Sequence, residues 1–419
     1  MELNKQFPFD SIEKSGKSIS LYIHIPFCIS KCSYCDFFSQ ECKNFSQNIL
    51  DNYLKALKSQ IEYIQNTCSI KVWNTIYIGG GTPSLLSPEK INSLFESINF
   101  YSFDKKKSSS EITLEVNPDD LTEDYLIRLN NTPVNRLSCG IQSLNQKSLE
   151  FAGRRADRKT NIKALDLISS FWKKEYSFDL ICGLPYETKE SFFDGLKSII
   201  SYNPNHISMY SLTLEDETPL GKYYLSHEYD YDFADKLWLK AKSFLEKEGY
   251  LQYEVSNFAK QGYESKHNLV YWNHKDYIGC GVAATGTLYS KKGEGVRITN
   301  TKNIKKYIDF WTSDNIFDFS LFDIEYIDLK TSIFECFMMG LRKLSGISSN
   351  EFTASFNYKL PSSFVDLILL WQKKNLAIIQ KENGDTRYKL TKEGILYLNT
   401  FLEKLKIDDD ELIPLKKTL

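Results

Sequence analysis

Along its first two thirds the chain alternates short apolar, β-branched runs with longer stretches whose apolar residues recur at helical spacing. The runs Ser20–Ile25 (SLYIHI), Asn74–Ile78 (NTIYI), Glu111–Val116 (EITLEV), Arg136–Ile141 (RLSCGI), Tyr176–Cys182 (YSFDLIC) and His206–Leu212 (HISMYSL) read as strands. Ile49–Ile64, Pro88–Ile98, Glu123–Leu129, Thr160–Phe171 and Lys189–Ile200 read as the helices between them. Strand followed by helix, repeated, implies parallel strands joined by crossovers. Six such units are too few for the closed eight-fold form and predict an α/β fold built on an open, partial (βα)6 barrel.

The pattern changes from about Leu220. Tyr231–Glu248 reads as a helix ending at Gly249. An aromatic and glycine-rich stretch, HNLVYWNHKDYIGCGVAATG, runs from His267 to Gly286, and the polar run Lys291–Lys306 reads as linker. Ile333, Phe334, Phe337, Met338, Leu341 and Leu344 then fall at helical spacing before Gly346. Leu376–Gln380 and Thr386–Leu390 flank an Asn-Gly-type turn (KENGD), and Thr391–Leu405 reads as a helix. The expected organisation is residues 1–290 as barrel with the aromatic segment, 291–322 as linker, and 323–419 as a small C-terminal α+β, winged-helix-like domain.

Composition narrows the function. In 419 residues, 52 Lys and Arg nearly balance 54 Asp and Glu, for a net charge of -2. Without a basic excess, nucleic acid is not an expected partner, and the C-terminal domain reads as an interaction or lid element. The start has no apolar core of a secretory signal and no stretch is long enough to span a bilayer, so a cytoplasmic location is expected. Nine cysteines, scattered except for one cluster, fit a reducing compartment in which clustered thiols bind metal.

That cluster is HIPFCISKCSYCDFF, with Cys28, Cys32 and Cys35 at spacing C-x3-C-x2-C directly after the first strand. Three thiolates on so short a loop can hold three corners of an iron–sulfur cubane and leave one iron without a protein ligand. Tetrahedral zinc would need a fourth ligand, for which Cys42 or His24 are the neighbours. The spacing after a first β-strand resembles the signature of radical S-adenosylmethionine (SAM) enzymes. The resemblance implies a 4Fe-4S cluster whose open iron is chelated by the amino and carboxylate groups of SAM. It also makes Gly79-Gly80-Gly81-Thr82-Pro83, after the second strand, a site where bare backbone meets the methionine end of SAM. By the same resemblance the SAM contacts are Tyr22, Gly80, Gly81, Thr82, Glu115, Gln142, Arg154 and Asp179. Most of these fall at or near the C-terminal ends of strands, where barrels of this kind build their sites. Arg155 adjoins Arg154, and the choice between the two stays open.

YIHIPFC, GGGTP, LEVNP, GIQSLN, DLICGLP and SFFDGL together resemble one branch of that superfamily, over about Leu21 to Leu405. It holds the oxygen-independent coproporphyrinogen III dehydrogenases and their haem-chaperone relatives. Three departures favour the chaperones: Phe37 where dehydrogenases typically carry a further cysteine, a short N-terminal arm, and the sequence HNxxYW at His267–Trp272. The resemblance implies a chaperone that binds haem and passes it to haem-accepting proteins, without coproporphyrinogen dehydrogenase activity; cluster and SAM would regulate dimerisation or transfer. An electron donor and a homodimer are further expected partners. The alternative is the dehydrogenase itself, a radical oxidative decarboxylase. Histidine is a common axial ligand of haem iron, which makes His267 the candidate, with His274 and Cys280 as neighbours that could take its place. The other reading of the motif is a satisfied buried network.

Overall fold

In the computed structural model, which describes residues 19–42, 47–100, 110–313 and 319–415, six parallel strands form the frame. They are β1 (Ile19–Ile25), β2 (Trp73–Gly80), β3 (Glu111–Val116), β4 (Arg136–Gln142), β5 (Glu175–Cys182) and β6 (His206–Ser211), hydrogen-bonded in chain order. The first and last of them do not meet: β6 is followed in the sheet by Asn257–Ala259, and β1 has a further strand on its other side. The expected partial barrel is therefore open. The expected N-terminal arm lies outside the described residues.

Helices Gln47–Thr67, Pro88–Phe95, Glu123–Leu129, Arg158–Phe171 and Lys189–Ser201 are the crossovers. The four after the first start where the sequence places a capping side chain: Ser87, Thr122, Asp157 and Thr188 each accept a hydrogen bond from the backbone N–H three residues on. Helices cover the outside of the strands, so β1 is buried nearly throughout, with only Tyr22 partly exposed. Leu21, Ile23, Ile78, Leu114, Leu137, Phe178 and Ile207 lie in one apolar core.

Beyond β1 the sheet continues through β7 (Tyr277–Cys280), β8 (Thr285–Tyr289), β9 (Gly295–Asn300) and β10 (Phe322–Ile327). Only β7 is parallel to its barrel neighbour; the others form an antiparallel extension. One expectation is corrected here. Residues 291–322 are not a linker, since they contain β9 and the helix Ile304–Thr312. Gly279–Gly286 lengthens the sheet sideways. The polarity that read as linker belongs to a strand with one wet face, on which Arg297 pairs with Glu325 (2.8 Å) and Glu335 (2.7 Å). Its other positions carry the buried Ile298 and Asn300, and Tyr307 and Trp311 pack the helix onto the core. Gln60, fully buried in the first crossover helix, holds this extension: its Nε2 donates to Asn300 Oδ1 (2.6 Å) and its Oε1 accepts from Gly281 N (2.8 Å).

A second apolar core gathers Ile333, Phe337, Phe352, Phe364, Trp371 and Phe401. It lies among helices Leu329–Gly340, Ser349–Phe356 and Ser362–Lys373 and the three-stranded sheet of Ile347–Ser348, Ala377–Glu382 and Asp385–Leu390. Phe337 stacks face to face on Phe364, with centroids 4.1 Å apart. The hairpin turns at Asn383 and Gly384, both with positive φ, as the KENGD signal predicts. The expected helix Thr391–Leu405 is shorter, a 3-10 turn at Gly394–Tyr397 leading into Leu398–Lys404. Among the described residues no helix is long and apolar enough to cross a membrane.

Gln60→Leu keeps the side-chain volume but strands the Gly281 N–H, the Tyr307 hydroxyl and the Asn300 side-chain oxygen. We expect a stability loss of about 1–3 kcal/mol by urea unfolding. An unchanged midpoint would show that the amide does not anchor the extension.

Candidate functional site

Phe27–Cys28 pairs with Gln40–Glu41, and Cys42 N donates to Cys28 O (2.8 Å), so the cysteine loop is closed at its base. Its middle is pinned at Ser33, whose N–H donates to Ala152 O (2.9 Å) and whose carbonyl accepts from Leu220 N (2.8 Å). Its return is held by His24, whose Nε2 lies 2.9 Å from Phe38 O. A carbonyl only accepts, so Nε2 carries the hydrogen and Nδ1 accepts from the Tyr22 hydroxyl at 2.9 Å. Both nitrogens of His24 are thus used in shaping the loop, which removes it as a fourth zinc ligand. Among the described residues no group of three or more His, Cys, Asp or Glu side chains gathers around one ion. Thiolates that ligate separate irons of a cubane need no such convergence. Burial pushes the Cys35 thiol up to about 11, so binding a cluster there releases a proton.

The loop after β2 is pressed against the cysteine loop. A Cβ at Gly81 would lie 2.7 Å from Phe27 O and 2.9 Å from Cys28 Sγ. Gly80 has φ +119°, and a Cβ there would lie 2.7 Å from the His24 ring. Thr82 Oγ1 donates to Cys28 Sγ at 3.5 Å. Glycine is the residue that fits both positions.

Together these loops form one end of a cavity of about 480 Å³ at the C-terminal ends of the strands. Its wall includes Cys28, Cys32, Cys35, Gly80, Gly81, Thr82, Glu115, Gln142, Arg154 and Asp179. Seven of the eight expected SAM contacts are thus brought together beside the three cysteines. The eighth, Tyr22, is not part of the wall; it acts on it through His24 and by stacking on Tyr77, 6.2 Å away. Gln142 sits at a bulge where the β4–β5 register shifts, with φ +65°. Such a non-glycine conformation is held by surrounding structure and re-aims the side chain.

The structure separates the two arginines. Arg154 Nη2 donates to Asn117 Oδ1 (2.8 Å) and Gly140 O (2.6 Å), its Nη1 lies 3.5 Å from Cys32 Sγ, and its Nε has no partner. Arg155 instead pairs with Asp119 (3.2 Å) and Asp120. The cavity wall also carries two carboxylates, Glu115 and Asp179, close enough for the charge of Asp179 to raise Glu115. Glu115 accepts from Tyr77 OH (2.8 Å) and Gly80 N (3.2 Å), and burial pushes it up to about 7. Asp179 accepts from Ser138 Oγ (2.7 Å) and is also raised by burial. A cation beside the sulfurs and acceptors farther in suit a ligand with a carboxylate at one end and hydroxyl or ammonium donors at the other. The sequence reading did not assign Asn117, Tyr77 or Ser138. Asn117, two residues past Glu115 and next beyond the strand end, was the one a strand-end argument could have reached.

The other end of the barrel carries the HNxxYW segment. Helix Lys266–Trp272 starts on Glu111, whose carboxylate accepts from Lys266 N (2.8 Å) and His267 N (2.9 Å). His267 Nδ1 lies 2.7 Å from Thr75 Oγ1, which donates to Ser20, so the ring donates to Thr75. Nε2 therefore accepts from Tyr271 OH at 2.7 Å. The ring is buried, stacked on Tyr77 (5.1 Å), and burial lowers it to about 3. As placed here, the His267 lone pair is taken by the Tyr271 hydroxyl, while Trp272 Nε1 at the end of the same motif is buried without a partner. Cys280 is buried within β7, and His274 is buried against Tyr289 (3.8 Å) and Phe356 (5.7 Å).

The family model of the radical SAM superfamily matches residues 22–199. The haem chaperone HemW of Buchnera aphidicola subsp. Acyrthosiphon pisum is 34% identical over 396 residues, covering 92% of this chain and 97% of the relative. HemW of Bacillus subtilis is 34% identical over 390 residues (91% and 97%), and that of Escherichia coli 32% over 390 residues (92% and 97%). Among solved structures, coproporphyrinogen III oxidase (HemN) from Escherichia coli superposes with a TM-score of 0.75 at 20% identity, over 95% of this chain and 92% of that one. That likeness shows the fold.

Two outcomes follow from the cavity. Serine at Cys28, Cys32 or Cys35 is expected to abolish cluster incorporation; full iron and sulfide content in any one variant rejects that ligand. For Glu115, the stability contributed by the neutral form is present below the ordinary 4.5 and is lost as pH rises through about 7. Glu115→Gln keeps a neutral side chain, so its urea midpoint should gain on the parent's between pH 5 and pH 8. A gap that stays constant across that range would mean the carboxyl ionises normally.

Proposed function

The chain belongs to the HemW family of radical SAM proteins, and from that premise we propose that it binds haem and delivers it to haem-accepting proteins. The observation that carries this reading is the likeness to proteins named haem chaperones along 97% of their length. Phe37 supports it: where dehydrogenases typically carry a further cysteine, this chain has an exposed phenylalanine in the cavity wall.

The family implies a 4Fe-4S cluster and SAM. In this reading Cys28, Cys32 and Cys35 would each hold one iron, and a cluster bound there would supply an electron to SAM. The chain's own groups do the positioning. The backbone at Gly80 and Gly81 leaves room for the methionine end, Arg154 meets its carboxylate, and Glu115 and Asp179 accept hydrogen bonds farther in. The His24–Tyr22 pair keeps the loop in shape while the cavity fills. The regulation of dimerisation or transfer by cluster and SAM, an electron donor, a cytoplasmic location and an interaction role for the second apolar core belong to the same proposal.

The test is retention of haem. The cluster is reconstituted anaerobically, ferric haem is added, and the protein is desalted and its visible spectrum recorded. About one haem per chain is expected. No retained haem would overturn the reading, and turnover of coproporphyrinogen III would then be the assay to run.

A further inference from the structure

We propose that Tyr77 couples the SAM cavity to the HNxxYW helix, so that a ligand bound at one end of the barrel changes the affinity at the other; this rests on the haem-binding reading above and concerns its regulation. Side chains alternate along β2, so Thr75, Tyr77 and Gly79 lie on one face, while Ile76 and Ile78 belong to the apolar core on the other. These three positions serve two sites. Thr75 holds His267, and Gly79 opens the glycine loop. Tyr77, between them, does both.

The ring of Tyr77 stacks on that of His267, with centroids 5.1 Å apart and planes 29° from parallel. Its hydroxyl donates to Glu115 Oε1 (2.8 Å), and the other oxygen of Glu115 accepts from Gly80 N (3.2 Å). The ring also stacks on Tyr22 (6.2 Å), whose hydroxyl donates to His24, the residue that holds the return of the cysteine loop. One side chain thus touches the wall of the cavity, the support of the cysteine loop and the histidine of the motif. There is little slack around it. A Cβ at Gly79 would lie 2.9 Å from Tyr77 Cε1 and 3.0 Å from Glu115 Oε1, so both side chains are seated against bare backbone. In a close-packed interior a displacement at one contact is passed on to the next. A ligand that donates to Glu115 and rests on the Gly80–Gly81 backbone therefore acts on Tyr77 directly.

At the far end His267 has two arrangements open to it. Its Nδ1–H bond to Thr75 leaves the lone pair on Nε2, the tautomer that a metal-bound histidine uses. In the structure that lone pair is held by the Tyr271 hydroxyl at 2.7 Å. Iron at Nε2 requires that hydroxyl to give way, and the ring is then held by Thr75 and Tyr77, both on β2. The exchange of Tyr271 for iron is a two-state element, and Tyr77, which answers to Glu115, biases it. Two sites that bias one such element are coupled, and the coupling is reciprocal.

The experiment titrates ferric haem into the parent and into Tyr77→Phe, each with the cluster reconstituted and oxidised, with and without saturating SAM. Phenylalanine keeps the stacking ring and removes the hydroxyl bonded to Glu115. Equal iron–sulfur content shows that the variant is folded, and its own SAM affinity, measured separately, sets the saturating concentration. In the parent, SAM should change the haem dissociation constant by at least about fivefold, and haem should change that of SAM by the same factor. In Tyr77→Phe both ratios should fall to within about twofold of one. A purely structural role for Tyr77 would weaken one or both ligands and leave the ratio as in the parent, which would overturn the assignment. A parent whose haem affinity ignores SAM would overturn the coupling and leave the haem-binding reading intact. Failure of the parent to retain haem would overturn both.

Discussion

The loops after β1 and β2 touch, and the rest of the site depends on that contact. With any side chain at position 81, Cβ would collide with Phe27 O and with the sulfur of Cys28; at position 80 it would collide with His24. The glycines let one backbone approach the other, so the three thiols come to stand beside exposed peptide groups. The closure of the cysteine loop at Cys28 and Cys42 and its anchoring at Ser33 keep that contact in place. A shift in any of these would move the sulfurs relative to the cavity, since the loop has few apolar contacts of its own to resist it.

The barrel's polar groups divide between its two ends. At the cavity end, Glu115 and Asp179 are half-buried, have no directly paired cation among the described residues, and are raised by desolvation. Buried charges are costly unless paired, and groups perturbed in this way collect where ligands bind. At the opposite end, Glu111 is saturated by backbone donors from the helix that carries His267, and the buried Arg136 lies in its field. Both ring nitrogens of His267 are engaged there, although His206 Nδ1 and Trp272 Nε1 are buried without partners.

Most of the frame was readable along the chain. The expected strands match the observed ones within a residue or two, because each is a short apolar run bounded by turn residues and covered on both faces. The cysteines and glycines were readable for a related reason: each group acts through neighbours a few residues apart. The extension from β8 to β10 was not. Its one wet face makes Lys291–Lys306 look like solvent-facing linker, and only pairing with β8 and docking on Gln60 reveal its buried side. Arg154 and Arg155 could not be told apart either, since adjacent residues differ only in which way the turn after helix Gln146–Phe151 sends them.

By itself the sequence determined the parallel strand order, the thiol spacing and the glycine run, all of which are written in local periodicity and spacing. Tertiary structure alone decided what the histidines touch. HNxxYW reads the same whether its histidine faces a ligand or a threonine. In the fold Thr75 and Tyr271 close on His267 and Tyr77 stacks on it; Thr75 and Tyr77 lie nearly two hundred positions away along the chain. A hydrogen-bond partner satisfies a lone pair regardless of its distance in sequence, and that is why such roles are settled by the fold.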